Sequence, residues 1–313
     1  MNNTKGIKVF APATVSNLGS GFDILGFPIE GAGDVIKVEK NASSLIRINK
    51  IECAEPLPDD PENNVASYAM INMLKKLNSK QGFDIELYKD VIPGSGIGSS
   101  ASSSAAAVVA VNELLGNPFS KNELIHFAME AEAMASGGKH ADNVAPALLG
   151  GISLIRSYNP FEVITIVPPQ DLWVVVLHPQ MEIKTELSRR ILPDQIDIRK
   201  AITQWGNVAG LISGFYTSDY ELIGRSLEDV VVEPYRSKLI PGYAATKAAA
   251  LKNGALGCAI SGSGPSVFAF CYGENNAQKA RNSMRNVYQA ENIPFKFYVS
   301  QINRQGTIIL DRW

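Results

Sequence analysis

Residues 93–101 form a glycine- and serine-rich stretch that reads Pro93-Gly94-Ser95-Gly96-Ile97-Gly98-Ser99-Ser100-Ala101. It follows a strand-like segment, Phe83 to Val91, and leads straight into an alanine- and valine-rich helical segment, Ala101 to Leu115. Glycines let a backbone curl closely around phosphates, and the amino terminus of the following helix attracts negative charge. The junction therefore predicts a phosphate-binding loop, with a serine hydroxyl as a candidate Mg²⁺ ligand.

Another interpretation of the loop stays open, because a glycine-rich turn whose serines merely cap the next helix has the same composition. The loop is not a Walker A motif, since no Gly-Lys-Ser/Thr ends it. The spacing of Gly94, Gly96 and Gly98 also misses the third glycine of GxGxxG. Both familiar nucleotide-binding folds, and with them an NAD-dependent enzyme, are therefore disfavoured.

Secondary structure around the loop is predicted from periodicity. Half-buried strands are indicated by alternating β-branched residues at Ile7–Ala13, Val35–Lys40 and Leu45–Ile51. Apolar residues at helical spacing predict a helix within Asn63–Lys80. Ser120 and Glu123 have capping-box spacing, so a further helix is expected to begin there and to end at Ser136-Gly137-Gly138, leaving Lys139 to Asn143 in a loop.

The second half of the chain has a different pattern. Strands are expected at Leu172–Leu177, Ala255–Ser261, Pro265–Cys271 and Phe295–Ile302, and helices at Ile198–Phe215, Glu221–Asp229, Tyr243–Lys252 and Asn276–Gln289. This is close to a β-α-β-β-α-β order with an added helix, which predicts an α+β sandwich. The 313 residues permit two domains, which we place at 1–160 and 161–313 with the boundary near 151–169.

Composition narrows the class of protein. Hydrophobic residues make up 45% and charged residues 19%, as in ordinary soluble domains. A net charge of −2 with interspersed signs argues against nucleic acid or a membrane as partner. Three scattered cysteines without a CxxC pair disfavour a disulfide framework or zinc. With neither a signal peptide nor a membrane-spanning run, we expect a cytoplasmic enzyme or binding protein, and the sequence allows a homodimer.

The glycine loop resembles the central motif of the GHMP kinases, the superfamily of galactokinase, homoserine kinase, mevalonate kinase and phosphomevalonate kinase. Ile97 stands where leucine is commonest. Two other stretches are similar to motifs of the same family: Ala11-Pro12-Ala13 with Asn17-Leu18-Gly19-Ser20-Gly21-Phe22-Asp23, and Ile260-Ser261-Gly262-Ser263-Gly264-Pro265-Ser266. The resemblance implies the α+β two-domain GHMP kinase fold, with a ribosomal protein S5 domain 2-like amino-terminal domain and a ferredoxin-like carboxy-terminal domain.

The branch of this superfamily that acts on homoserine is matched more closely. Its resemblance rests on Asn17–Asp23 followed by Gly26, on residues 136–146, and on Glu233-Pro234-Tyr235-Arg236 with Leu239-Ile240-Pro241-Gly242. Asn143 stands near the place where mevalonate and galactose kinases usually carry an aspartate. This likeness implies an enzyme that phosphorylates the side-chain hydroxyl of L-homoserine, a step of threonine biosynthesis, with ATP and Mg²⁺ as cofactors.

Residue roles follow from the resemblance. It implies that ATP is bound by Asn63 and by Pro93, Gly94, Ser95, Gly96, Ile97, Gly98, Ser99 and Ser100. Mg²⁺ would be held by Ser99 or Ser100 with Glu132, and Glu130 on another face of the same helix is the fallback ligand. The substrate site would comprise Asn17, Asp23, His140, Asn143, Thr185, Arg189 and Arg236. The catalytic residues would be Ser100, Glu132 and Asn143.

The acceptor site follows from the chemistry of an amino acid. Asp23 suits an ammonium group, and Arg236 or Arg189 suits a carboxylate, because the guanidinium fork matches two carboxylate oxygens. Asn143 cannot accept a proton, and we expect Asp142 to point elsewhere in an extended loop. Direct proton transfer to a phosphate oxygen is therefore favoured.

Plainer readings of these residues stay open. Glu132 could be a solvated glutamate of a helix, His140 could be a surface histidine, and Asp23 could cap a turn. A sibling GHMP kinase acting on another alcohol would lack the pairing of Asp23 with Arg189 and Arg236, and a non-catalytic relative could keep the same fold.

Overall fold

The amino-terminal sheet is built largely from the strands that the sequence predicts. The computed structural model describes residues 4–313, with Ser136 described only in its backbone. Among these residues a seven-stranded sheet contains β1 (Gly6–Ser16), β2 (Leu25–Asn41), β3 (Ile46–Glu52), β4 (Gly82–Lys89), β5 (Ile152–Tyr158), β6 (Phe161–Ile166) and β11 (Ile308–Arg312). Its main path runs β11-β1-β2-β4-β3, and β3 pairs parallel with β4.

Helices cover one face of this sheet. They are α1 (Val65–Leu77), α2 (Ser99–Leu114), α3 (Lys121–Ser136) and α4 (Val144–Leu149). Alanine, serine and valine make α2 slim, so it lies buried between the sheet and the other helices. The predicted capping box at Ser120 and Glu123 is confirmed, and Gly137 ends α3 with a φ of 78°. These helix ends set the positions of the loops that form the site.

The carboxy-terminal sheet has the predicted β-α-β-β-α-β order. Its strands are β7 (Leu172–Pro179), β8 (Ala255–Ile260), β9 (Val267–Tyr272) and β10 (Phe295–Gln301), paired antiparallel in the order β10-β7-β9-β8. Between β7 and β8 lie α5 (Thr185–Arg190), α6 (Ile198–Thr217), α7 (Tyr220–Ser226), α8 (Glu233–Arg236) and α9 (Tyr243–Lys252), and α10 (Gly273–Tyr288) follows β9. The expected α+β architecture is confirmed.

The two sheets share buried contacts. Phe27 of β2 packs against Phe268 and Phe270 of β9, with ring centroids 5.8 and 5.3 Å apart. The last strand, β11, returns to pair antiparallel with β1. Since β11 closes the first sheet, the final residues of the segment 161–313 lie with the amino-terminal sheet, and the two-domain division remains a proposal.

Some elements were not predicted. β2 begins at Leu25 rather than Val35, because Pro28 sits beside a register shift in the β1–β2 pairing, where a proline is tolerated. The hairpin of β5 and β6 fills the stretch that the sequence suggested as a boundary, with β5 pairing with β2. Along residues 4–313, no helix is both long and apolar enough to cross a membrane.

Candidate active site

A cleft of about 640 Å³ runs past the amino terminus of α2, between the glycine loop and segments from both sheets. Nearly all residues proposed from the sequence line it, namely Asn17, Asp23, Asn63, Pro93, Gly94, Ser95, Gly96, Gly98, Ser99, Ser100, Glu132, His140, Asn143, Thr185, Arg189 and Arg236. Ile97 differs, because its side chain is fully buried in the core beneath the loop. Any contact of Ile97 with ATP is thus confined to its backbone. The proposed fallback ligand Glu130 does not appear among the lining residues.

The glycine loop is held from outside the cleft through successive carbonyl groups. The carbonyls of Gly94 and Ile97 accept from the backbone N–H groups of Ile183 and Thr14, at 3.2 and 3.0 Å. Those of Ser95 and Gly96 accept from the hydroxyls of Ser266 and Ser261, both at 2.6 Å.

A carbonyl and the next N–H point in opposite directions across a planar peptide, so the N–H groups of Ser95, Gly96 and Gly98 turn away from these partners. The carboxy-terminal motif Ile260–Ser266 therefore shapes a loop with outward-facing donors, which can bind an anion.

Gly98 occupies a position that only glycine fits. Its φ is +69°, and an added Cβ would lie 1.9 Å from Thr14 Oγ1. It is also the N-cap of α2, and in the described chain no side chain caps this helix end. The first N–H groups of α2 and the positive end of its dipole are therefore left available at the cleft.

Ser100 and Glu132 meet at the same place. The Ser100 hydroxyl donates to Glu132 Oε2 across the space between α2 and α3. Ser99 is turned inward instead, since its hydroxyl donates to the Val91 carbonyl at 2.7 Å. Within residues 4–313 no group of three or more His, Cys, Asp or Glu side chains forms a metal site. Mg²⁺ bound to phosphates needs only one or two protein oxygens, so Ser100 and Glu132 form a fitting donor set.

A buried ion pair supports the first turn of α2, and the sequence analysis missed it. Lys89 pairs with Asp34, and their side chains are only 3% and 0% exposed. Lys89 Nζ also donates to the Ser99 carbonyl at 3.0 Å and to Ser103 Oγ at 2.7 Å. Removing either partner would leave an unpaired buried charge, so this group is expected to hold the helix start rigidly.

Asn17 and Asp23 lie in a tightly turned loop after β1. Both residues have positive φ, 72° and 61°. The Asn17 side chain fixes the turn by donating to the Gly262 carbonyl at 2.8 Å and accepting from the Asp23 N–H at 3.0 Å. The amino-terminal and carboxy-terminal motifs are thereby joined, and the Asp23 carboxylate faces the cleft.

Asp23 forms a bidentate ion pair with Arg189 of α5, with N–O distances of 2.7 and 3.0 Å. Burial by itself would lower the pKa of Arg189, but the hydrogen bonds to Asp23 together with the negative charges of Asp23 and Asp142 raise it overall. His140 Nδ1 lies 3.8 Å from Asp23 Oδ2, and burial lowers the pKa of His140. The imidazole is therefore mainly neutral at pH 7.

Arg236 is the most buried cation of the cleft, at 2% exposure. It donates to the carbonyls of Ser188 and Gly262 at 3.1 and 2.9 Å. Burial, with a smaller contribution from nearby Arg189, lowers its pKa to about 10, so it stays charged at pH 7. Both arginines lie close to the ring of Phe22, whose centroid is 5.0 Å from Arg236 Cζ and 5.5 Å from Arg189 Cζ.

Asn143 is held on both sides of its amide. Its oxygen accepts from Thr14 Oγ1 at 2.7 Å, and its nitrogen donates to Ser16 Oγ at 2.9 Å.

The expectation that Asp142 points elsewhere is wrong, because Asp142 also lines the cleft. Residues 142–143 form a turn rather than an extended chain, so neighbouring side chains do not alternate. Burial, reinforced by Asp23, raises the pKa of Asp142 to about 7.

Another part of the cleft wall is more apolar and was identified from sequence only through Asn63. Its walls include Leu57, Pro58, Val65, Leu87, Met134 and Ala135. A wall of this kind suits a flat heteroaromatic ring. These residues come from four separate segments of the chain, so no local sequence pattern connects them.

Comparisons with known proteins agree with this geometry. The family models for the GHMP kinases N terminal domain and GHMP kinases C terminal match residues 64–151 and 211–290. A homoserine kinase of Chlorobium phaeovibrioides is 46% identical, over 98% of this chain and 100% of that protein.

Solved structures show the same likeness. The crystal structure of homoserine kinase from Cytophaga hutchinsonii is 46% identical with a TM-score of 0.96, over 99% of each chain. A mevalonate kinase of L. major, 18% identical with a TM-score of 0.69 over 94% of this chain and 96% of that one, shares the fold alone. The chain therefore belongs to the GHMP kinase family and, within it, to the homoserine kinases.

Proposed function

We propose that the chain transfers the γ-phosphoryl group of ATP to the side-chain hydroxyl of L-homoserine, as the names of its full-length relatives indicate. One observation carries the proposal: a single cleft is lined both by the glycine loop with the uncapped start of α2 and by the oppositely charged pair of Asp23 and Arg189. The product, O-phospho-L-homoserine, would serve threonine biosynthesis.

ATP is proposed to lie along the cleft with its base at the apolar part and its phosphates at the glycine loop. The N–H groups of Ser95, Gly96 and Gly98 and the start of α2 suit the β- and γ-phosphates. Ser100 and Glu132 would hold Mg²⁺, which when bound supplies positive charge beside the phosphate oxygens. Asn63 lies where it could contact the nucleoside.

The charged part of the cleft suits the acceptor. In the free protein Asp23 and Arg189 neutralise each other. A zwitterionic amino acid could enter between them, with its ammonium on Asp23 and its carboxylate on Arg189, which exchanges one ion pair for two. Arg236 adds a second cation for the carboxylate. Asn17, His140 and Thr185 complete the proposed walls of this subsite.

Asn143 is proposed to orient the acceptor hydroxyl. In the transfer, the hydroxyl oxygen forms a bond to the γ-phosphorus, the bond to the bridging oxygen breaks, and ADP leaves. Because the Asn143 amide cannot accept a proton, we retain transfer of the hydroxyl proton to an oxygen of the transferred phosphoryl group. The firm hold of Thr14 and Ser16 on Asn143 supports a positioning role.

A substrate panel tests the proposal. Purified protein with ATP and Mg²⁺ should produce ADP with homoserine far faster than with mevalonate, galactose or shikimate, because only homoserine offers both an ammonium and a carboxylate. Preference for another alcohol would contradict it.

The cytoplasm remains the proposed compartment, consistent with three free cysteines. A homodimer is proposed as well, and it is supported by exposed apolar residues on α6 such as Ile202 (59%) and Trp205 (62%).

A further inference from the structure

Tyr158 connects the two loops that carry the proposed acceptor site. We call residues 17–23 the ammonium loop and residues 139–143 the hydroxyl loop, after the substrate groups proposed to bind there. The Tyr158 hydroxyl donates to the Asp23 carbonyl at 2.9 Å and accepts from the Ala141 backbone N–H at 3.2 Å. Among the described residues that line the cleft Tyr158 does not appear. It therefore joins the two loops without being part of the cleft wall.

The Tyr158 phenol is a neutral donor. Burial raises the pKa of Tyr158, and the hydrogen bond from the Ala141 N–H opposes this rise only in part, so the phenol stays protonated at neutral pH. A phenol has a single proton to donate. Because the Ala141 N–H occupies the acceptor side of the oxygen, that proton is directed to the Asp23 carbonyl.

Tyr158 belongs to a rigid part of the fold and to neither loop. It closes β5 and pairs with Phe161 across the turn to β6, and the two ring centroids lie 6.3 Å apart. The Phe161 ring packs edge-on against His126 of α3, with centroids 4.9 Å apart. β5 is also bonded to the chain just after the ammonium loop, since the Ile155 N–H donates to the Ile24 carbonyl at 2.8 Å. A fixed hairpin thus presents the hydroxyl to both loops.

Asp23 relies on side chains for both of its backbone hydrogen bonds. Its φ of 61° is a left-handed conformation that is uncommon for a residue with a side chain and persists where neighbours hold it. The Asp23 N–H donates to Asn17 Oδ1 at 3.0 Å, and the Asp23 carbonyl accepts from Tyr158. The bond from Tyr158 fixes the peptide plane after Asp23 and thereby constrains where the carboxylate points.

The spacing of the two loops matters because the groups that they bind belong to one small molecule. In homoserine a short saturated chain joins the ammonium to the hydroxyl. The chain is also tightly packed here, since a Cβ at Gly26 would lie 1.7 Å from the Asp142 carbonyl oxygen, so only glycine allows this contact. Tyr158 adds a hydrogen-bonded bridge one residue away, at Ala141.

We propose that Tyr158 is a positioning residue that sets the spacing between Asp23 and Asn143, so that an acceptor held by its ammonium has its hydroxyl aligned with the γ-phosphoryl group. This inference rests on the proposed function, because it needs a substrate that is held at both loops. A small misplacement of the reacting oxygen lowers the rate of transfer. Since Tyr158 touches neither ATP nor the acceptor, its effect is confined to acceptors that use both loops.

Tyr158→Phe tests the bridge, because it removes the hydroxyl and keeps the ring. The ratio of kcat/KM for homoserine to kcat/KM for 4-hydroxybutyrate should fall about fivefold, as for the loss of one neutral hydrogen bond, since 4-hydroxybutyrate places no ammonium on Asp23. The KM for ATP should stay unchanged. The matched control is Tyr220→Phe, whose lost hydroxyl accepts from the Asp171 N–H at 3.3 Å, and it should leave the ratio unchanged. An unchanged ratio in Tyr158→Phe, or the same fall in Tyr220→Phe, would overturn the proposal.

A double-mutant cycle with Asp23→Asn separates positioning from general damage. If Tyr158 acts through Asp23, then adding Tyr158→Phe to Asp23→Asn should not lower the ratio further. Additive losses would overturn the proposal, because the hydroxyl would then act independently of Asp23. Failure of the proposed function would be seen separately, as a wild type that does not prefer homoserine in the substrate panel.

Discussion

Replacing Asp23 with Asn tests the proposed recognition of the substrate ammonium. Hydrogen bonds to charged groups contribute about 1.5 to 3 kcal/mol. In the free protein Asp23 already pairs with Arg189, and the two side chains are 24% and 32% exposed, so the ammonium replaces an existing partner in a partly hydrated place. We therefore expect a loss of transition-state binding at the lower end of this range, about 1.5 kcal/mol, which corresponds to about a tenfold loss in kcat/KM for homoserine.

The assay compares homoserine with 4-hydroxybutyrate, which lacks the ammonium. The ratio of the two kcat/KM values cancels general damage to the enzyme, and in Asp23→Asn it should fall about tenfold. Glu186→Gln is the control, since Glu186 is another carboxylate lining the cleft and its loss should leave the ratio unchanged. An unchanged ratio in Asp23→Asn, or an equal fall in Glu186→Gln, would show that Asp23 does not bind the substrate ammonium.

Three other predictions concern the metal ligand Glu132, the glycine loop and Asp142. Glu132→Gln should lower kcat about 100-fold at saturating Mg²⁺, while the affinity for ATP, measured by calorimetry, should change little. An unchanged kcat would show that Glu132 is not part of the metal site. Gly98→Ala should abolish the rise in Tm caused by a non-hydrolysable ATP analogue, because its Cβ meets Thr14. Gly116→Ala, also at positive φ (+83°) but with open space around it, should keep that rise, and an equal response in both variants would argue against the loop assignment. Burial raises the pKa of Asp142 from 3.8 to about 7. Between pH 3.8 and about 7 the folded state therefore binds more protons than the unfolded state, and the stability of the wild type should fall as pH rises through this range. Thermal melts across it should show a smaller fall for Asp142→Asn, and parallel curves would contradict the role of burial.

Sequence alone determined the local features of this protein. The glycine loop, the following helix and the capping box at Ser120 and Glu123 follow from short-range backbone chemistry, and the structure has them as expected. The resemblance to the GHMP kinases likewise rests on contiguous motifs that can be read in order. Most of the proposed site residues were identified in this way.

Which distant groups meet depends on the three-dimensional fold. Asp23 and Arg189 are 166 positions apart, and Lys89 and Asp34 are 55 apart on different strands, so no periodicity links them. The carbonyls of Ser95 and Gly96 accept hydrogen bonds from Ser266 and Ser261, which lie in the loop between β8 and β9. Asp142 was misjudged because its orientation depends on a turn that packing imposes. Hydrogen-bond partners and burial depend on how the chain is brought together in space, and local sequence patterns do not contain that information.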